Sequence, residues 1–108
     1  MTESIRPISP ANCSNMAQVR EGVDAIDRDL VALLARRFTY MDAAARIKTD
    51  RETVRDEARK SEVIGNAVAQ AEQSGVSVTL VADFWERLVE ASIAYELERW
   101  DEIRSTGR

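Results

Sequence analysis

Apolar residues recur at steps of three and four along the first half of the chain, which is the pattern of an amphipathic helix. They are Met16, Val19, Val23, Ile26, Leu30, Leu33, Leu34, Met41 and Ala44. The pattern predicts a helix from Met16 to about Lys48, with Asn12, Ser14 or Asn15 as its N-cap. Such a helix has roughly 33 residues and a length of roughly 50 Å. Because one small chain cannot cover it, we expect it to pack against other helices, including those of a second copy.

A charged, irregular segment separates this helix from a second one. Residues 49–56 include several weak helix formers and are predicted to be a connecting loop. A second helix is predicted from about Glu57 to Ser74, since apolar residues line one side of it. Asp56 is its expected N-cap and Gly75 its expected stop.

A third helix is predicted from about Thr79 to Arg104, with Ser77 or Thr79 as its cap. Its apolar residues fall on two sides, Val81, Phe84, Leu88 and Tyr95 on one and Val89, Ile93, Leu97 and Trp100 on the other. A helix that is apolar on two sides is enclosed on two sides, which again indicates an oligomer. The sequence therefore predicts an all-α protein with an N-terminal arm at residues 1–14 and a helical domain at residues 15–108.

Composition excludes several classes of function. The 108 residues include no His and one Cys, Cys13, which excludes His-based catalytic triads, a Cys-based zinc site and an internal disulfide. The net charge of -4 argues against binding to nucleic acid or to an anionic membrane. There is no apolar run of about 20 residues and no secretory signal at the N-terminus. We expect a cytoplasmic protein that needs no metal or cofactor.

Two cations interrupt the apolar stripe of the first helix. With Leu30 as its centre, Arg37 lies about 20° away, Lys48 almost on it and Arg20 at its edge. Burying an unpaired charge costs several kcal/mol, so the fold must supply an anion. One interpretation is an internal ion pair, and the acids that could form it include Asp24, Asp27 and Glu96. The other is that the missing anion belongs to a ligand.

Ser92 and Glu96 are polar residues one turn apart on a largely apolar face of the third helix. They form either an ordinary hydrogen bond of the helix or the polar lining of the same pocket. A pocket of cations, one acid and one hydroxyl, without His or metal, is suited to holding a small dianion in one shape. Unimolecular rearrangements need little more than that.

Three stretches of the chain resemble the all-helical chorismate mutases. The segment that resembles the first helix of that family is VREGVDAIDRDLVALLARRFTYMDAAARIK. The segment that resembles its loop and the start of its second helix is VRDEARKSEVI. The segment that is similar to its third helix is SGVSVTLVADFWERLVEASIAYE. The resemblance covers about residues 15 to 103. The matching set is Arg20, Arg37, Lys48, Asp56, Arg59, Ser92 and Glu96. The arm with Cys13 and the pair Arg36 and Arg37 look especially like isochorismate pyruvate lyase, a relative with the same fold.

The resemblance implies an intertwined homodimer of three-helix protomers with two equivalent active sites for a small dicarboxylate. The first helix would span both sites, giving Arg37 and Lys48 to one site and Arg20 to the partner's. By family role, Arg20 and Arg37 would bind the carboxylates of the substrate. Lys48 would donate to its ether oxygen and to a carboxylate.

The remaining matches are implied to surround the ring of the substrate. Arg59 would close over the site, and Asp56 would hold the region of the ring hydroxyl with Ser92 nearby. The family often has Gln where this chain has Glu96, and Glu donates to an ether oxygen only when it is protonated. Activity is therefore expected to increase as the pH falls and Glu96 takes up a proton. Lys60 stands where bacterial mutases commonly carry a Glu.

These features predict a chorismate mutase, which converts chorismate to prephenate. Isochorismate pyruvate lyase, which yields salicylate and pyruvate, is an alternative: the arm and first helix favour it, whereas Asp56 and Ser92 favour the mutase. Lys60 leaves open a mutase for 4-amino-4-deoxychorismate. A non-catalytic helical dimerisation module is a further alternative, in which Arg37 and Lys48 pair with acids of the chain itself.

Overall fold

The computed structural model describes residues 7–105, and these residues form three α-helices and no strand. Helix α1 spans Met16–Ile47, α2 spans Glu57–Ser74 and α3 spans Val78–Ser105. The predicted all-α class is confirmed. Residues 1–6 of the predicted arm and the last three residues of the chain lie outside the described range.

Helix α2 begins and ends at the predicted residues, because both of its ends are capped as its sequence indicates. The Asp56 carboxylate accepts a hydrogen bond of 3.0 Å from the backbone N–H of Arg59. At the other end Gly75 has a φ of 72°, which a residue with a Cβ adopts only with strain. This left-handed turn lets the N–H of Val76 return to the carbonyl of Ala71 at 2.9 Å.

The first turns of α1 and α3 are capped by side chains that the sequence offered as candidates. Asn15 Oδ1 accepts from the N–H of Gln18 at 2.9 Å, so Asn15 caps α1. Ser77 Oγ accepts from the N–H of Leu80 at 3.1 Å, so Ser77, and not Thr79, caps α3. For that reason α3 begins at Val78, slightly earlier than predicted.

The connection between α1 and α2 is more structured than the predicted loop. Arg51–Thr53 form one turn of 3-10 helix, and the Asp50 side chain accepts from the N–H of Glu52 at 3.1 Å. The next residue, Val54, is buried and packs with Val89 and Ile93 of α3. A single apolar residue in a charged segment has no periodicity, so its burial could not be predicted from the pattern.

The described residues group into two compact units, and the division falls inside α1, between Arg37 and Phe38. In the N-terminal unit a 3-10 helix at Pro10–Asn12 precedes α1. A cavity of about 420 Å³ lies between residues 7–13 and the first turns of α1, and apolar side chains form most of its wall. Helix α1 also exposes a row of apolar side chains, some of which line this cavity. The row consists of Met16, Val19, Val23, Ile26, Leu30 and Leu33, which are 38% to 59% exposed.

In the C-terminal unit the end of α1, the connecting segment and α2 pack against α3. Its core is formed by Val54, Val89 and Ile93, with Trp85 and Trp100 among the side chains packed against it. Of the described helices, none combines the length and hydropathy that a bilayer crossing needs.

Candidate active site

An acid of α3 faces a cation at the end of α1 in the C-terminal unit. Lys48 Nζ lies 3.0 Å from Glu96 Oε2, with the Glu96 side chain 5% exposed and that of Lys48 31% exposed. Although the distance is that of an ion pair, Glu96 Oε2 makes no hydrogen bond with any described residue. Burying a carboxylate oxygen without a hydrogen bond is unfavourable, and the partly exposed Lys48 ammonium offsets its charge.

Ser92 lies one turn before Glu96 and is also buried. Its Oγ donates a hydrogen bond of 2.7 Å to the carbonyl of Leu88. This is the ordinary hydrogen bond within the helix, which was one of the two interpretations of Ser92 that the sequence allowed. The structure brings Lys48 and Glu96 together between α1 and α3, and Ser92 lies one turn before Glu96 on the same helix.

Asp56 and Arg59 lie at the start of α2, where the fold uses them locally. Asp56 caps the helix, and Arg59 Nη1 donates to Glu62 Oε1 at 2.8 Å. Both arginine and glutamate side chains are more than half exposed. Within residues 7–105, neither Asp56 nor Arg59 makes a hydrogen bond or an ion pair with Lys48 or Glu96.

The two predicted carboxylate-binding arginines belong to the N-terminal unit. Arg20 is exposed and Arg37 is half-buried on α1. Their participation in a site with Lys48 stays a prediction. For Lys48 the internal ion-pair interpretation describes the structure, and its partner, Glu96, is itself one of the predicted site residues.

Lys60 is engaged by acids of α3. Its Nζ lies 2.9 Å from Glu86 and 2.6 Å from Glu90, and Glu90 also accepts two hydrogen bonds from Arg55. Hydrogen bonds from Arg55 and then from Lys60 lower the pKa of Glu90 to about 2. The hydrogen bond to Glu90 is the main cause that raises the pKa of Lys60. These charges tie the start of α2 and the segment before it to α3.

Sequence reasoning missed the side chains of α3 that bind the end of α1. Arg104 donates to the carbonyl oxygens of Ala45 at 2.9 Å and of Lys48 at 2.6 Å. Trp100 Nε1 donates to the same Lys48 oxygen at 3.0 Å. The signal available in the sequence was weak: an Arg one turn after a Trp at the end of the third predicted helix.

A second set of polar contacts, which the sequence did not indicate, joins the last turns of α1 to α3. Tyr95 Oη donates to Asp42 Oδ1 at 2.6 Å, and Arg99 Nε donates to the same oxygen at 3.1 Å. The hydrogen bond to Asp42 is the main cause that raises the pKa of Tyr95. The Tyr95 ring also packs edge-on against Phe38. The sequence pattern had placed Tyr95 on an apolar side.

The chemistry open to this arrangement is electrostatic. A cation beside a buried carboxyl can bind an anionic group and, with the carboxyl protonated, offer two donors to one acceptor. Over the described residues, no group of three or more His, Cys, Asp or Glu side chains is arranged to hold a metal ion.

Comparisons with known proteins give one family and one relative. The family model described as chorismate mutase type II matches residues 19–97. The chain is 28% identical over 99 residues to an isochorismate pyruvate lyase of Pseudomonas aeruginosa, an alignment that covers 92% of this chain and 98% of that protein.

Proposed function

Because this chain belongs to the chorismate mutase type II family, we propose that it converts chorismate to prephenate by a [3,3] rearrangement. The observation that carries the proposal is the buried Glu96 carboxyl, which lies 3.0 Å from the Lys48 ammonium with one oxygen lacking a hydrogen bond. A cation and an acid placed in this way suit the ether oxygen of an enolpyruvyl ether.

In this rearrangement the C–O ether bond breaks as a C–C bond forms, and every atom is retained in the product. The protein therefore has to hold one conformer and stabilise the charge that develops. Arg20 and Arg37 bind the two carboxylates and select the compact diaxial conformer, which removes an entropic part of the barrier. Asp56, Arg59 and Ser92 line the ring side of the site.

Lys48 and Glu96 act at the breaking bond. Negative charge grows on the ether oxygen, and the Lys48 ammonium stabilises it. The Glu96 carboxyl lies beside Lys48 and can donate to the same oxygen only in its protonated form.

The test is to identify the product formed from chorismate and to compare Lys48→Ala with Lys60→Ala. Lys60→Ala is a matched control because it removes the other lysine, whose partners are the acids of α3. Lys48→Ala should lower turnover on the order of a hundredfold or more while its circular dichroism stays helical. Retention of wild-type turnover by Lys48→Ala would contradict the proposal.

A second candidate is isochorismate pyruvate lyase, and one observation favours it. The relative of that name aligns with this chain over nearly the whole length of both proteins. The reaction also breaks the ether bond of a small enolpyruvyl dicarboxylate, so the same Lys48 and Glu96 serve it. Incubation with isochorismate distinguishes the two: salicylate and pyruvate as main products, with little prephenate from chorismate, would replace the mutase proposal.

The proposed site is composite, with two chains contributing to each active site. Support comes from the exposed apolar row on α1 between Met16 and Leu33, which a second copy would cover. In this homodimer Arg20 reaches the site that holds Lys48 of the partner.

Complementation between two inactive variants tests the composite site. Arg20→Ala and Lys48→Ala are unfolded, mixed and refolded together. If Arg20 acts in the partner's site, each heterodimer regains one intact site, and random pairing returns about a quarter of the wild-type activity. If Arg20 acts within its own chain, the mixture stays as inactive as either variant alone. Light scattering of the wild type gives the oligomeric state independently.

A further inference from the structure

We propose that Arg104 and Trp100 are positioning residues for Lys48: they hold its backbone, and thereby its ammonium, at the place where it meets Glu96. This inference rests on the proposed function, because it concerns the lysine to which that function assigns charge stabilisation. It extends the site to the last turn of α3, which no part of the proposed mechanism uses.

The first step is the hydrogen bonding at the end of α1. A helix leaves its last carbonyl groups without partners inside the helix. At the end of α1 two of these groups are taken up by α3: the Arg104 guanidinium donates to Ala45 O and to Lys48 O, and the Trp100 indole donates to Lys48 O. Two side chains of α3 thus fix a single carbonyl, that of the residue directly after α1.

The second step is the rigidity of the donors. The Arg104 guanidinium carbon lies 4.1 Å from the centroid of the Trp100 ring, so the two donors stack on each other. Arg104 is planar and presents its N–H groups as a fork, which lets one side chain bridge two carbonyls in a fixed geometry. A cation at this position is also favoured by the dipole of α1.

The third step connects this contact to the chemistry. Lys48 follows the last residue of α1, and its N–H still donates to Ala44 O at 2.9 Å. Its backbone would otherwise fray at the end of the helix. Fixing the Lys48 carbonyl fixes the origin of a long, flexible side chain whose ammonium has to stay near Glu96. Displacements of about 1 Å at a reacting group lower rates by up to a hundredfold.

The test compares Arg104→Gln and Trp100→Phe with the matched control Arg99→Gln. Arg99 lies on the same helix and also joins α3 to α1, but it does so through the Asp42 side chain and not through Lys48. If the contact positions Lys48, Arg104→Gln lowers kcat on the order of tenfold with little change in KM. Arg99→Gln then keeps the wild-type kcat even if it loses as much stability as Arg104→Gln.

The conservative variant Arg104→Lys separates geometry from charge. It keeps the cation near the end of α1 but cannot bridge two carbonyls as a fork. A positioning role predicts a kcat between those of the wild type and Arg104→Gln. If Arg104→Gln is poorly folded, Arg104→Lys and Trp100→Phe, which each remove part of the contact, carry the test.

A readout without turnover separates failure of this inference from failure of the proposed function. Lys48 and Lys60 are the two lysines of the chain. Isotope-labelled lysine therefore gives two side-chain ammonium signals by NMR, which Lys48→Arg and Lys60→Arg assign. We expect Arg104→Gln to shift the Lys48 signal and to leave the Lys60 signal in place.

Two outcomes would overturn the positioning role. One is an unmoved Lys48 signal in Arg104→Gln, and the other is a loss of kcat no larger than that of Arg99→Gln. If the wild type converts neither chorismate nor isochorismate, the proposed function fails. The NMR comparison then still decides whether Arg104 orders Lys48.

Discussion

Removing Lys48 and removing Glu96 should have unequal effects on stability, although each change breaks the same ion pair. The asymmetry follows from burial, since the Glu96 side chain is 5% exposed and that of Lys48 is 31% exposed. Lys48→Met leaves a buried carboxylate without its cation. Glu96→Gln leaves an ammonium that can turn towards water.

The magnitude follows from the geometry of the pair. At 3.0 Å and an effective dielectric constant of about 20, Coulomb's law gives about 5.5 kcal/mol of attraction. The desolvation of Glu96 and the water around Lys48 offset part of it. We expect Lys48→Met to lose about 3 kcal/mol of unfolding free energy and Glu96→Gln about 1 kcal/mol. The double variant should lose less than Lys48→Met alone, because no unpaired charge remains.

The assay is urea unfolding followed by circular dichroism near pH 7, at one protein concentration for all variants. Lys60→Met is the matched control, since Lys60 pairs with acids whose side chains are 52% and 39% exposed. It should lose less than about 1 kcal/mol. Equal losses for Lys48→Met and Glu96→Gln, or a loss for Lys48→Met no larger than that of the control, would refute the reasoning from burial.

Three further outcomes follow from the same structure. The pKa of Glu90 is held at about 2, mainly by Arg55, so its stabilising contribution is complete above about pH 4.5 and is lost as the pH falls towards 2. The free energy of unfolding measured with urea should therefore fall less steeply over that pH range for Glu90→Gln than for the wild type. Parallel curves for the two proteins would be evidence against the pairing. Gly75→Ala should lower the unfolding free energy by about 1 kcal/mol because of its positive φ. Gly65→Ala, inside α2 with open space around it, should raise that free energy by about 0.5 to 1 kcal/mol.

Local rules predicted the helices well because their signals lie within a few residues of one another. Asp56 and Gly75 delimit α2 by hydrogen bonds that reach no further than one turn. The start of α3 was missed by one residue because two cap candidates, Ser77 and Thr79, lie only two residues apart in sequence, and only the hydrogen bond to Leu80 distinguishes them.

Contacts between distant segments were predicted only where a charge stood on an apolar face. Lys48 was singled out in that way, and Glu96 was among the acids considered for it. Arg104 and Trp100 gave no such signal, because a cation and an indole near a helix end are common on surfaces. Their targets are backbone carbonyls, which every residue has, so no pattern of side chains in the sequence indicates them.

The burial of Val54 likewise could not be predicted from the pattern of side chains in the sequence. It is one apolar residue in a polar, charged segment, and its place in the core follows from the short 3-10 turn that precedes it. Pairing of Lys60 with Glu86 and Glu90 likewise depends on how α2 packs on α3. These contacts are properties of the packed helices and not of any one segment.

If Arg104 positions Lys48, turnover depends on the integrity of the last turns of α3, where Arg104 lies. A protease nick or a bulky fusion that unwinds the final helical turn would loosen Lys48 without touching it. Preparations trimmed to different lengths would then differ in turnover, so intact mass should be checked before rates from separate batches are compared.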